Sequence, residues 1–254
     1  MPSCSLCLDS VITRNPTKAN WKSIGSNSSL LAYWSSQESD QESVDALIAF
    51  DFDMTLVDSN SGVLATITKS FEQKSIEMVD DPTRHFTTLR GLKLREQIER
   101  MAAIPLANDQ IGDLECIFGL IYPETGVGGT KVFPFVVEIL SLLQTKRIDT
   151  HIVSAKGNKN LQLSLETLGI WSSAWIGDVS GKEKTEYLRQ NGCTTYVGDM
   201  AVDVEIARET PCTSIIINNA REDTGTWLAL PDFQFSSTQE FYEWIRIPRN
   251  LEAL

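Results

Sequence analysis

The sequence predicts a doubly wound α/β protein, a parallel sheet with helices on both faces, carrying a smaller all-helical unit inserted after its first strand. Three observations carry this. Ala46, Leu47, Ile48, Ala49 and Phe50 form a short apolar run of the kind found in strands buried on both faces. From Val132 onward helix-like and strand-like segments alternate, and between the two regions lie three helix-like segments in succession with no strand.

The first strand ends at Asp51, within FDFDMTLVDS (residues 50–59), which sets Asp51 and Asp53 at the end of an apolar run. A carboxylate there is either solvated or bound to something. After Ser59, Val63, Leu64, Ile67, Phe71 and Met78 recur every three to four residues, the period of a first helix, for which Asp58, Ser59 and Ser61 compete as cap. A second helix is expected from Gly91 to Met101 with Leu94, Ile98 and Met101 on one face. A third is expected from Asp109 to Tyr122 with Ile111, Leu114, Ile117, Phe118 and Ile121. The glycines of Thr125–Thr130 are expected to make a hinge or turn; no strand precedes them and no Lys-Ser/Thr follows, so a phosphate cradle is excluded.

Beyond this point the expected order is helix Pro134–Thr145, strand Thr150–Ser154, helix Leu161–Leu168, strand Ala174–Asp178, helix Lys182–Asn191, strand Thr194–Val197, helix Val202–Glu209 and strand Thr213–Asn218. Such alternation implies right-handed crossovers. Trp227, Phe233, Phe235, Phe241 and Trp244 suit packing of a last strand and helix onto the sheet. The domain reading is therefore an N-terminal extension (1–44), an α/β core (45–58 and 133–254) and a helical unit (59–132).

Lys and Arg total 22 against 34 Asp and Glu, a net charge of −12, which argues against nucleic acid or an anionic membrane as partner. No apolar run reaches membrane-spanning length and no secretory signal is apparent, so the cytoplasm is the expected location. Residues 1–44, rich in Ser and Asn, read either as an organelle-targeting segment or as an extension that docks through Trp21, Leu30, Leu31, Tyr33 and Trp34. Five cysteines make no disulfide framework, and Cys4 and Cys7 lack the further ligands a zinc site needs. His151, inside a strand, is read as packed rather than catalytic.

In a parallel sheet ligands bind at the carboxyl ends of the strands. Those positions hold Asp51 and Asp53, then Ser154 with Lys156 just beyond, then Lys182 and Lys184, then Asp199 and Asp203. Carboxylates converging on one edge repel unless a hard cation sits among them, and Mg²⁺ prefers oxygen ligands. A cation beside carboxylates in turn makes phosphate the natural substrate group.

These residues resemble the haloacid dehalogenase superfamily of phosphohydrolases. Asp51-Phe-Asp-Met-Thr-Leu56 is similar to its first motif (DxDxT), Ile152-Val-Ser-Ala155 to its second, a Lys opening a helix to its third, and Val197-Gly-Asp-Met-Ala-Val-Asp203 to its fourth (GDxxxD). The resemblance covers about residues 45–220. It implies a Rossmannoid core with a class 1 helical cap, and Arg84–Gly91 with Tyr122 resembles the phosphoglycolate phosphatase-like branch. It further implies a Mg²⁺-dependent phosphatase for a small phosphorylated metabolite, monomeric or homodimeric. Asp51 would be the nucleophile that forms an aspartyl-phosphate and Asp53 the acid and base. Asp51, the backbone carbonyl of Asp53 and Asp199 would hold Mg²⁺, with Asp203 a ligand or a support for one. Thr55 and Ser154 would contact the phosphoryl group, and Lys184 or Lys182 would neutralise phosphoryl charge. By its position just past Ser154, Lys156 reads as a substrate contact or as a side chain facing water. Independently of the resemblance, Arg84, Arg90, Lys93 and Arg95 read as a solvated helix face or as positive charge on the cap over the site, the former being the more frequent meaning of such charges. The Lys-Pro pair usual in this branch is missing. A phosphomutase of the β-phosphoglucomutase type is the alternative, disfavoured because Gly91 is followed by Leu92, Lys93 and Leu94 rather than by Ser-Arg. A catalytically silent scaffold is the alternative of another class.

Overall fold

The structure, a computed structural model, describes residues 13–14, 46–219 and 229–254; the Cys4/Cys7 pair, most of the N-terminal extension and Trp227 lie outside the described residues. The strands are β1 (Thr13–Arg14), β2 (Leu47–Phe50), β3 (Val57–Asp58), β4 (Lys131–Val132), β5 (Asp149–Val153), β6 (Ala174–Ile176), β7 (Thr195–Gly198), β8 (Thr213–Ile217) and β9 (Phe233–Phe235). The helices are α1 (Asn60–Lys74), α2 (Pro82–Thr87), α3 (Leu94–Met101), α4 (Asn108–Gly128), α5 (Val136–Thr145), α6 (Asn158–Leu168), α7 (Lys182–Gln190), α8 (Ala201–Arg208), α9 (Thr238–Ile245) and α10 (Pro248–Leu251).

The main sheet has the order β1-β6-β5-β2-β7-β8-β9. All its pairings are parallel except that of β1 with β6. Strand β2 lies at the centre because both its faces are apolar. Ile48 and Phe50 join the cluster under α5 and α9, and Leu47 and Ala49 join the one under α7 and α8. The C-terminal aromatics pack as the sequence suggests, Phe235 against Phe241 and Trp244 with ring centroids 5.2 and 5.4 Å apart.

Between β2 and α5 the chain leaves the sheet through the short antiparallel ladder β3–β4, pairing Val57 with Val132 and Asp58 with Lys131. Helices α1–α4 are inserted there around a second core that includes Ile67, Phe71, Ile98, Leu114 and Tyr122. Four expectations change. Helix α1 stops at Ser75, which turns left-handed (φ 52°), so Met78 lies beyond it and bridges Ala102 instead. The second helix begins at Leu94, not Gly91. The extra helix α2 follows Asp81-Pro82, a cap and first-turn proline signal, with the Asp81 carboxylate accepting the Arg84 N–H at 3.2 Å.

The fourth change concerns the glycine segment. Residues Thr125–Gly128 are the last turn of α4 rather than a hinge. The glycines serve packing: a Cβ on Gly62 would sit 2.2 Å from the carbonyl oxygen of Gly126, so α1 and α4 approach backbone to backbone. Elsewhere, strands and helices shift by one to three residues from their expected ends.

Candidate active site

At the carboxyl ends of the parallel strands, beneath the inserted helices, lies a cavity of ≈ 360 Å³. Its floor includes Asp51, Asp53, Ser154, Lys156 and Asp199, and its roof includes Phe86, Arg90, Lys93, Arg95 and Phe118.

Asp51 ends β2 while its backbone N–H still donates to the Val197 carbonyl at 2.8 Å. The chain then turns sharply. Met54 is left-handed (φ 66°), its N–H donates to the Val57 carbonyl at 2.7 Å, and Leu56 N–H returns to Phe52 at 3.0 Å. This turn lets two side chains of a former strand, which would otherwise point the same way along an extended line, both border one cavity. Asn219 fastens it from β8's end, donating to the Met54 carbonyl at 3.0 Å.

Asp199 follows β7, and Asp203 lies in the first turn of α8. One Asp203 oxygen accepts the backbone N–H groups of Asp199 and Met200 at 3.1 and 3.0 Å. Gly198 permits this, since a Cβ there would lie 2.3 Å from the Asp203 carboxyl carbon. The other Asp203 oxygen accepts the Tyr196 hydroxyl at 3.0 Å. Asp203 is buried and off the cavity lining. Thr55, also buried and off the lining, donates to Asp199 at 3.3 Å.

The two candidate lysines separate cleanly. Lys184, 4% exposed, puts its Nζ 2.9 Å from Asp51 Oδ1 and 2.9 Å from the Tyr196 hydroxyl. Lys182, two residues earlier on α7, is exposed and does not line the cavity. Ser154 is buried on the lining, its hydroxyl accepting the Lys156 backbone N–H at 3.1 Å. Asp53 stands to one side of the acidic cluster, with Oδ1 taking the Ser59 hydroxyl at 2.5 Å and the Lys156 ammonium at 3.1 Å. Ser59 occupies the N-cap position of α1 yet makes no cap bond, while Asp58 accepts the Asn60 N–H at 3.3 Å.

Of the cap cations expected, Lys93 bonds Glu183 of α7 at 2.6 Å, and Arg95 bonds Glu115 at 3.2 Å. Arg90 lines the cavity and Arg84 does not. Tyr196 is a site residue that the sequence does not single out: inside an apolar strand its ring reads as core, and its one signal is its position two residues before Gly198. Ser59 reads from the sequence solely as a cap.

Asp51, Asp199 and Asp203 each bring an oxygen to within 4.8 Å of the others. One ammonium, Lys184, faces the three. Burial, reinforced by Asp203 and Asp199 and only partly offset by Lys184, pushes the Asp51 carboxyl from 3.8 up to about 7. For Lys184, burial pulls the ammonium down, but Asp51, Asp203 and Asp199 outweigh it and hold it above its ordinary value. By geometry, three carboxylates face a single ammonium in a buried site. An all-oxygen donor set with that deficit of positive charge fits a hard divalent cation.

A doubly wound sheet with acids at two adjacent strand ends, under helices inserted after the central strand, is the class of fold and site that the molecule presents. The chain belongs to the haloacid dehalogenase-like hydrolase family, whose model matches residues 48–217. Among curated proteins it is 27% identical over 128 residues to the probable phosphatase IndB of Dickeya dadantii, spanning 50% of this chain and 55% of that protein. It is 25% identical over 238 residues to the phosphoglycolate phosphatase of Escherichia coli, covering 80% and 93% respectively. Among solved structures, a haloacid dehalogenase-like family hydrolase from Streptococcus pneumoniae superposes with a TM-score of 0.62 at 21% identity, over 79% of this chain and 98% of that one. The fold class expected from the sequence is the one found. No helix among the described residues is long and apolar enough to cross a membrane.

Proposed function

We propose that the chain is a Mg²⁺-dependent phosphatase that hydrolyses a small phosphorylated metabolite inside the cell, with residues 59–132 as a cap over the site. The observation that carries this reading is Asp51 itself, a carboxylate on the cavity floor, held by Lys184 and followed two residues later by a second carboxylate on the same floor. Named relatives that are phosphatases support the reaction class.

Asp51 would attack phosphorus, forming an Oδ–P bond as the P–O ester bond breaks, and Asp53 would protonate the departing oxygen. Water would then attack the aspartyl-phosphate, with Asp53 accepting its proton, releasing inorganic phosphate and restoring Asp51. Ser154 borders the same floor and can donate its hydroxyl hydrogen to a phosphoryl oxygen. Lys184 neutralises charge at Asp51. Asp51 and Asp199, with the Asp53 carbonyl, would hold Mg²⁺, and Asp203 fixes the Asp199 backbone behind them. The cation when bound offsets repulsion between carboxylate and phosphate.

Phosphate release from 4-nitrophenyl phosphate, with and without Mg²⁺, tests this on the native chain and Asp51→Asn. Metal-dependent turnover abolished by the substitution is the expected result, with phosphorylated metabolites, phosphoglycolate first, as the following screen. Equal inertness of both proteins on the aryl ester and the metabolites would overturn it.

A further inference from the structure

Lys156 is expected from the sequence to touch substrate or to face water; it borders the cavity, and its ammonium is engaged by protein groups. The side chain is only 6% exposed, and Nζ lies 3.1 Å from Asp53 Oδ1, the same oxygen that takes the Ser59 hydroxyl. Two aromatic rings cover it, Tyr122 at 4.9 Å and Phe52 at 5.8 Å from their centroids. Tyr122 belongs to the inserted helix α4, is fully buried, and places its hydroxyl 3.0 Å from that of Ser164 on core helix α6. Ser164 in turn donates to the Asn160 carbonyl at 2.7 Å. Burial pulls the Lys156 ammonium down, but Asp53 and Tyr122 outweigh it and hold it above its ordinary value.

We propose that Lys156 is a positioning residue for Asp53: with Ser59 it holds that carboxylate at the cavity edge, and Tyr122 of the inserted helices locks Lys156 onto it. Acid–base delivery by Asp53 then depends on how α4 seats against α6. The inference rests on the phosphatase reading and on Asp53 as its acid. It differs from a phosphate-binding role in one measurable way. A lysine that binds phosphate serves all esters alike, whereas one that positions the acid acts on the phosphoryl-transfer step, which kcat/KM reports, in proportion to how much the leaving oxygen needs a proton.

The test compares kcat and KM of the full chain on 4-nitrophenyl phosphate, whose leaving group departs without help, and on glycerol phosphate, whose alkoxide does not. The proteins are the native chain, Lys156→Met, Lys156→Arg, Tyr122→Leu, Asp53→Asn and the double variant Lys156→Met/Asp53→Asn, each checked for native circular dichroism. Lys156→Met is expected to lose roughly 100-fold in kcat/KM on the alkyl ester and only a few-fold on the aryl ester, a general-acid-sized effect on the leaving-group step. The double variant should be no slower than Asp53→Asn, Lys156→Arg should restore part of the loss, and Tyr122→Leu should give the same leaving-group pattern at roughly tenfold. An equal fall on both esters with raised KM, or losses additive with Asp53→Asn, would overturn the proposal in favour of phosphate binding. If Asp53→Asn itself shows no leaving-group dependence while Asp51→Asn is inert, the phosphatase reading stands and this inference falls. If the native chain cleaves neither ester nor any of the phosphorylated metabolites, both fall.

Discussion

Tyr196 sets its hydroxyl between two charged groups, 2.9 Å from Lys184 Nζ and 3.0 Å from Asp203 Oδ1. The phenol is buried, so it accepts from the ammonium and donates to the carboxylate with no water to replace either. It ties the helix carrying Lys184 to the loop carrying Asp199. Tyr196→Phe keeps the ring and deletes this link, leaving a buried carboxylate oxygen short of a donor. A loss of about 1–3 kcal/mol in urea unfolding is expected, with turnover down roughly tenfold.

Asp51→Asn is expected to abolish turnover and also to change how stability depends on pH in the metal-free protein. The Asp51 carboxyl titrates at about 7 in the fold against 3.8 ordinarily. Between those values the folded state binds the extra proton, so this contribution is complete below pH 3.8 and lost as pH rises through about 7. Thermal melts in EDTA between pH 5.5 and 8 should show a smaller decline for Asp51→Asn than for the native chain.

Ser59→Ala separates capping from catalysis. Since the Ser59 hydroxyl serves Asp53 and makes no cap bond to α1, helix stability should change little while hydrolysis of an alkyl phosphate falls roughly tenfold. Urea unfolding beside steady-state kinetics reads both. A loss of stability with unchanged kinetics would restore Ser59 to the role of cap.

Gly62→Ala runs against helix propensity. In an exposed helix the change stabilises by roughly 0.5–1 kcal/mol. Here the new methyl meets the Gly126 carbonyl at 2.2 Å, so overpacking should win and cost about 1–3 kcal/mol in urea unfolding.

His151 is held below its ordinary value of 6.5 by burial, with Asp149 opposing, and its Nδ1 faces the Tyr187 hydroxyl at 3.0 Å. The unfolded chain therefore takes up this proton first as pH falls. The contribution is complete above about 6.5 and is lost as pH drops through the lower folded value. Melting temperatures of His151→Gln should fall less between pH 7 and pH 5 than those of the native chain.

The glycine segment and the short α2 show where local reading failed in the fold. Gly126 and Gly129 look like a turn because glycine's conformational freedom is visible in sequence, whereas the Tyr122 ring packed on Gly126 and the close approach of Gly62 to Gly129 are not. The signal for α2 was present in Asp81-Pro82, but six residues give too little periodicity to register.

What the sequence determined by itself were the strands of the parallel core, their succession along the chain and the residues at their carboxyl ends; the edge strand β1 and the β3–β4 ladder were not legible in it. Apolar runs and helical periods are local quantities, and a parallel sheet brings its strand ends to one edge whatever the loops do. Asp51, Asp53, Ser154 and Asp199 therefore reach one cavity floor as expected. The tertiary structure alone decided which partners those acids take. Lys182 and Lys184 are about 200° apart around a helix, so only the packing of α7 determines which one turns inward. Tyr196 meets Lys184, and Tyr122 covers Lys156, across separate elements; such long-range pairs depend on how buried faces interlock, which no single segment encodes.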